Sequence, residues 1–203
     1  MHVPRPHRRP ALVIVLAALA LMLLVPAAAS ASPQALGAGK AVFTLDPFFA
    51  TFVGTGFPVY PVAPAVLNFD GHTTPRLVMH VAGGTWDKAH SRGTFLLKGG
   101  LVFVHYTAGP VIHTLTLGSW RAGVNTAAGW TARINGTRAV ILDENLMGSH
   151  PSYPTIGGHK FVKVNTVILF YDSAFTTAFN TTFSATLADG EPFGTATLLA
   201  RLK

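Results

Sequence analysis

From Lys40 onward the chain is divided every ten residues or so by Gly, Pro, Asn or Asp, and the pieces between are short, β-branched and aromatic. That cadence is the signature of an all-β domain, because each piece is long enough for a strand and too short for a stable helix. The segments are Lys40–Leu45, Ala65–Phe69, Arg76–Ala82, Gly93–Lys98, Leu101–Tyr106, Val111–Leu117, Gly129–Ile134, Arg138–Leu142, Phe161–Phe170 and Phe193–Ala200. Turns are expected at Gly83-Gly84, Gly99-Gly100, Ala108-Gly109-Pro110 and Asn135-Gly136. Asn-Gly is the strongest of these, since both central residues of a type I′ hairpin turn need positive φ. The chain has no cysteine, so no disulfide can hold the strands and the core must do so.

Alternation sets orientation. In Val111–Leu117 the odd positions Val111, His113, Leu115 and Leu117 face the core, and Thr114 and Thr116 face out. Leu101–Tyr106 is apolar on both faces and reads as a central strand. Residues 144–160 show no periodicity and form a polar excursion. The expected architecture is an antiparallel sandwich or distorted barrel.

Two segments repeat a motif. TLDPFFATF (44–52) and FYDSAFTTAF (170–179) each place an Asp after a strand, with Phe residues following at helical spacing. Asp46 and Asp172 are expected to cap two short helices, since a carboxylate accepts free N–H groups of a first turn. Phe49 and Phe175 then pack over the ends of the sheet, and the helices stop near Gly54 and Asn180.

The N-terminus reads as an export signal. Arg5, Arg8 and Arg9 precede an apolar run from Ala11 to Val25, and Ala29-Ser30-Ala31 forms a small-x-small cleavage site. The run of 15 residues is short for a span, which needs about 20. The organisation is therefore a signal peptide 1–31, a flexible lead-in 32–39 and a single β-rich domain 40–203. The expected location is secreted, or associated with the cell envelope, with no membrane span after cleavage. The kept-anchor reading stays open.

Charge narrows the partners. Of 15 basic residues three lie in the signal, and all 8 acidic residues lie outside it, leaving 12 − 8 = +4. The basic residues form no run and no nucleic-acid motif, which argues against nucleic acid. Weak attraction to an acidic envelope remains.

Stretches across most of the exported part, TLDPFFATF, GGTWDKAHSRGTFLLKGGLVFV, TLTLGSW and AFNTTFSATLADGEPFGTATL, resemble an uncharacterised group of secreted actinobacterial proteins. Gly93, Gly99, Gly100 and Leu101 match its middle motif, where Leu97 and Lys98 replace a His-Ser pair. Phe179, Asn180, Phe183, Gly190, Pro192, Gly194, Thr195 and Ala196 match its end. More distantly the layout is similar to the HtaA domain of cell-envelope haem-uptake proteins. That resemblance implies a β-rich exported fold binding haem through a Tyr supported by a His, for which the counterparts are Tyr106 with His105 or His113.

Read from spacing alone, the histidines are less forthcoming. No pair has the i, i+4 spacing of a helical zinc site. A four-residue loop over 107–110 would set 106 against 111 and 105 against 112, so that His105 and His113 project from opposite faces. A one-residue bulge would reverse that. No G-x-S-x-G elbow, P-loop or dinucleotide fingerprint occurs, and no paired carboxylates are named by spacing. Three functions remain in order: a non-catalytic binding or structural module of unnamed ligand and no cofactor, a haem-uptake protein, and a secreted hydrolase with no assigned catalytic residue.

Overall fold

The computed structural model describes residues 32–47, 57–69, 74–107, 109, 111–146 and 150–203. Residues 1–31, expected from sequence to be a signal, and Phe49 lie outside them.

Among the described residues thirteen strands and one full helix follow in order: β1 (Gln34–Leu45), β2 (Val59–Val62), β3 (Val66–Asn68), β4 (Arg76–Asp87), β5 (Arg92–Lys98), β6 (Gly100–Tyr106), β7 (Ile112–Val124), β8 (Trp130–Ile134), β9 (Thr137–Asn145), β10 (Pro151–Ser152), β11 (Thr155–Ile156), β12 (His159–Tyr171), α1 (Ser173–Phe183) and β13 (Pro192–Leu202). Neighbouring strands run β7-β5-β4-β1-β13-β12-β9-β8, and β8 pairs back onto β7. Eight antiparallel strands therefore close a barrel. The all-β expectation holds, in its barrel form.

Alternation builds the interior. β1 sends Ala41, Phe43 and Leu45 inward, β4 Leu77, Met79 and Val81, and β13 Ala196, Leu198 and Ala200. Trp120, Trp130 and Phe193 gather edge-on or tilted around Phe43 and one another, with centroids 5.8 to 6.4 Å apart. Ring edges directed at ring faces suit the aromatic quadrupole. This packing holds a chain without disulfides.

Three local expectations change. Residues 34–39, taken as a lead-in, are the first half of β1 and pair with β4 and β13. Gly83-Gly84 does not turn the chain; it lies within β4, where a bulge shifts the register against β5. Gly99-Gly100 is likewise no hairpin. β5 and β6 both run antiparallel to β7, in line with each other, with Gly93 opposite Val124 and Gly100 opposite Gly118. They are one long strand bent at Gly99, whose φ is +101°. A Cβ there would lie 2.6 Å from the Ala65 amide nitrogen, so glycine is required on two counts. Beyond this bend β6 leaves the barrel and pairs with β2 instead. β3 takes the vacated side of β4, with Val66 opposite Val78.

Asn135-Gly136 turns as expected. Both have positive φ, and Ile134 faces Thr137 across a two-residue loop. The excursion after β9 returns as the two short strands β10 and β11 on β12.

α1 begins where the sequence predicts. Asp172 is extended at the N-cap and accepts from the Ala174 amide at 2.8 Å, a cap of about 1 kcal/mol. Phe175, Phe179 and Phe183 share the buried face. Phe175 stacks on Tyr171 at 5.2 Å and Phe179 meets Phe103 edge-on at 5.6 Å. The helix runs past Asn180 to a left-handed Ser184. Asn180 instead uses its side chain to grip both backbone groups of Leu187, each at 2.8 Å, so it fastens the return loop instead of ending the helix. On the other side, the Asp46 amide donates to the Phe193 carbonyl, which joins the end of β1 to the start of β13.

Candidate ligand cleft at the open end of the ribbon

β6 and the first half of β7 form a ribbon beyond the barrel wall, edged by β2. Its inward side carries Leu101, Phe103 and His105 on β6, and Leu117, Leu115 and His113 on β7. Leu101, Phe103, Leu115 and Leu117 are buried under α1 and the barrel. His105 and His113 continue the same two rows past the point where the core covers them.

The pairing register is Val104 to Thr114, His105 to His113 and Tyr106 to Ile112. The connecting loop therefore spans five residues, 107–111, and the Thr107 hydroxyl donates to the Val111 carbonyl at 2.8 Å across it. One residue more than the four-residue expectation reverses its outcome. His105 and His113 stand directly opposite each other on one face, with Cβ atoms about 5 Å apart in such a pair. Side-chain alternation made the result depend on a single position.

Tyr106 goes the other way. It lies on the outer face, 57 % exposed, and its phenol is hydrogen-bonded to that of Tyr60, which pushes its pKa up. The three residues nominated from sequence thus divide into a histidine pair within and a tyrosine outside.

The histidines open onto a cleft of about 300 Å³. Its floor is His105, Thr107 and His113, and its far wall is the end of α1, Thr181, Thr182, Phe183 and Ser184. Phe57, which precedes β2, lies against His105 with ring centroids 4.7 Å apart, and Phe183 meets the same imidazole edge-on at 6.2 Å. Phe57 and Phe183 touch each other at 5.5 Å. One side of the His105 ring is thus packed by aromatics. The cleft offers two imidazoles, threonine hydroxyls and the ring of Phe183, a pattern suited to a partly aromatic ligand with a metal or acceptor group. The segment around Phe57 has no strand periodicity, and its sequence signal is its place eleven residues after Asp46, as Phe183 lies eleven after Asp172.

The carboxylates are placed differently. Asp87 accepts from the amides of Ala89 and His90 and from His90 Nδ1 at 2.6 Å, with Arg92 Nε at 3.5 Å. These contacts, the His90 hydrogen bond first, lower its pKa and close the β4–β5 turn. Glu144 accepts from Trp130 Nε1 at 3.0 Å and the Asn125 amide at 2.6 Å. Burial raises its pKa against those bonds. Asp143 is raised by burial and by Asp172 and Asp189. None of these groups lines the cleft. Among the described residues no three His, Asp or Glu side chains group as a metal site.

No protein-family model matches the chain, and no curated protein sequence does. Solved structures do match its fold. The C-terminal domain of HtaA from Corynebacterium glutamicum superposes with a TM-score of 0.59 at 12 % identity, covering 84 % of this chain and 99 % of that one. The N-terminal domain of HtaA gives 0.55 at 12 %, covering 81 % and 97 %. The haem-binding protein HtaB from the same organism gives 0.54 at 11 %, covering 84 % and 96 %.

Proposed function

We propose that this chain is an exported, non-catalytic binding module that captures haem in the cleft of His105 and His113. One observation carries the reading: the five-residue loop sets two imidazoles opposite each other on the inner face of a ribbon, beside the rings of Phe57 and Phe183. The fold likeness to HtaB, whose structure is described as that of a haem-binding protein, supports it. The donor set fits. An imidazole is a common ligand for haem iron, and Phe183 offers an apolar surface at the cleft wall. When bound, haem would supply an iron centre able to take an imidazole nitrogen, and His105 and His113 would hold it. The chain holds His105 against aromatic rings and keeps Thr107 at the cleft floor and Thr181 and Thr182 at its wall. His105, the more buried and packed of the two, is the better fixed ligand, and His113 supports it.

Absorbance titration with haemin tests this. The exported part should give a saturable Soret change at micromolar haemin. His105→Ala should weaken binding at least tenfold, with a smaller loss for His113→Ala. Tyr106→Phe should change it less than twofold, because Tyr106 faces the other side. No Soret change would overturn the reading. So would a Tyr106→Phe variant that loses binding while both histidine variants keep it.

A further inference from the structure

The barrel wall opposite the β7–β9 side is almost without negative charge. Its strands β1, β4, β5, β12 and β13 contain one acidic residue, Asp87, at the very end of β4 and engaged by His90 and Arg92. Pairing register lines up the basic residues of this wall in a row. Lys163 faces Leu199, Leu199 faces Lys40, Lys40 faces His80, and His80 faces Lys98. Lys40, His80 and Lys98 are exposed, and Lys163 is half-buried. Among the described residues none of the three lysines has a carboxylate within 4.0 Å; the ion pairs found there both belong to Asp87.

Adjacent strands lie about 4.8 Å apart, so the three lysines recur at about 10 Å along a line crossing the strands. The five carboxylates Asp46, Asp143, Asp172, Asp189 and Glu191 gather instead around Tyr171 and the start of α1. The charge of the barrel is thus segregated, which net charge alone does not require.

We infer that this row is a docking track for a flexible linear polyanion. The shape selects that partner. The row follows the curvature of an eight-stranded barrel, so a pliable chain can touch all three ammonium groups, while a flat bilayer meets fewer strands at once. The row carries no Phe, Tyr or Trp on which successive nucleic-acid bases could stack, and His80 is its one ring. Lysine suits the task, since its ammonium is a compact charge that meets successive anionic groups without demanding a planar fork.

The test uses residues 32–203 and long-chain inorganic polyphosphate as the probe, with binding followed at several salt concentrations. The exported part should bind, more weakly as salt rises. The triple variant Lys40→Gln/Lys98→Gln/Lys163→Gln should bind at least tenfold more weakly, with a log–log salt slope shallower by about 2. Arg121→Gln/Arg133→Gln on the opposite wall should change affinity less than twofold. Equal losses in the two variants would overturn the track in favour of net charge alone. Absence of binding would overturn it, as would tighter binding to vesicles rich in phosphatidylglycerol or to single-stranded DNA than to polyphosphate.

Discussion

β5 and β6 are two halves of one strand against one partner, yet they serve different ends. In the β5 half, Phe95 and Leu97 face a closed barrel and are buried, with Phe95 against Trp86 at 5.9 Å. In the β6 half the same alternation runs Leu101, Phe103, His105, and its last member is only partly covered. The pattern of inward positions is continuous; what changes at Gly99 is what lies opposite. Where the ring of strands closes, the inward face is core. Where α1 lies over it instead, the face ends in a cleft. A strand can therefore carry stability and recognition on one face, provided its cover ends before it does.

The division is broken or sharpened by substitution. Phe95→Ala should cost about 3–5 kcal/mol, whereas His105→Ala should cost less than about 1 kcal/mol while weakening haem binding. Urea denaturation of both variants checks this, and equal costs would mean that the two halves are not distinct. At the bend, Gly99→Ala should cost about 1–3 kcal/mol, because φ there is +101° and the new Cβ meets Ala65. An unchanged urea midpoint would show that the bend is not a fixed pivot.

The smallest effect concerns pH. Burial, with help from Asp172 and Asp189, raises the Asp143 pKa. A raised acid favours folding with its proton on, so its contribution is present below the unfolded-state range and lost as pH rises through the raised value. Asp143→Asn should therefore raise the melting temperature slightly at pH 7 and leave it unchanged at pH 3. A lower melting temperature at pH 7 would show that the charge is held favourably.

Local chemistry was legible in the sequence where it acts locally. Asn135-Gly136 turned, Asp172 capped, and Phe175 was buried as its spacing required. The closure of β8 onto β7 was not legible, because pairing between distant segments leaves no mark in either one. Gly99-Gly100 misled for a related reason: a glycine pair marks unusual backbone geometry, and a bend within a strand needs that as much as a turn does. The histidine pair rested on the length of one loop. The lysine row was invisible, since residues 40, 98 and 163 become neighbours only through the registers of four strand pairs.

The closure has a consequence for how the chain resists aggregation. A strand with unpaired amides invites another chain to dock on it, and a chain with no cysteine has no disulfide to resist being drawn into such a stack. Joining β8 to β7 hides those amides along the ring. The ribbon, which escapes the ring, finishes on a border of four residues with Pro61 inside it, too short and too interrupted to seed a fibril.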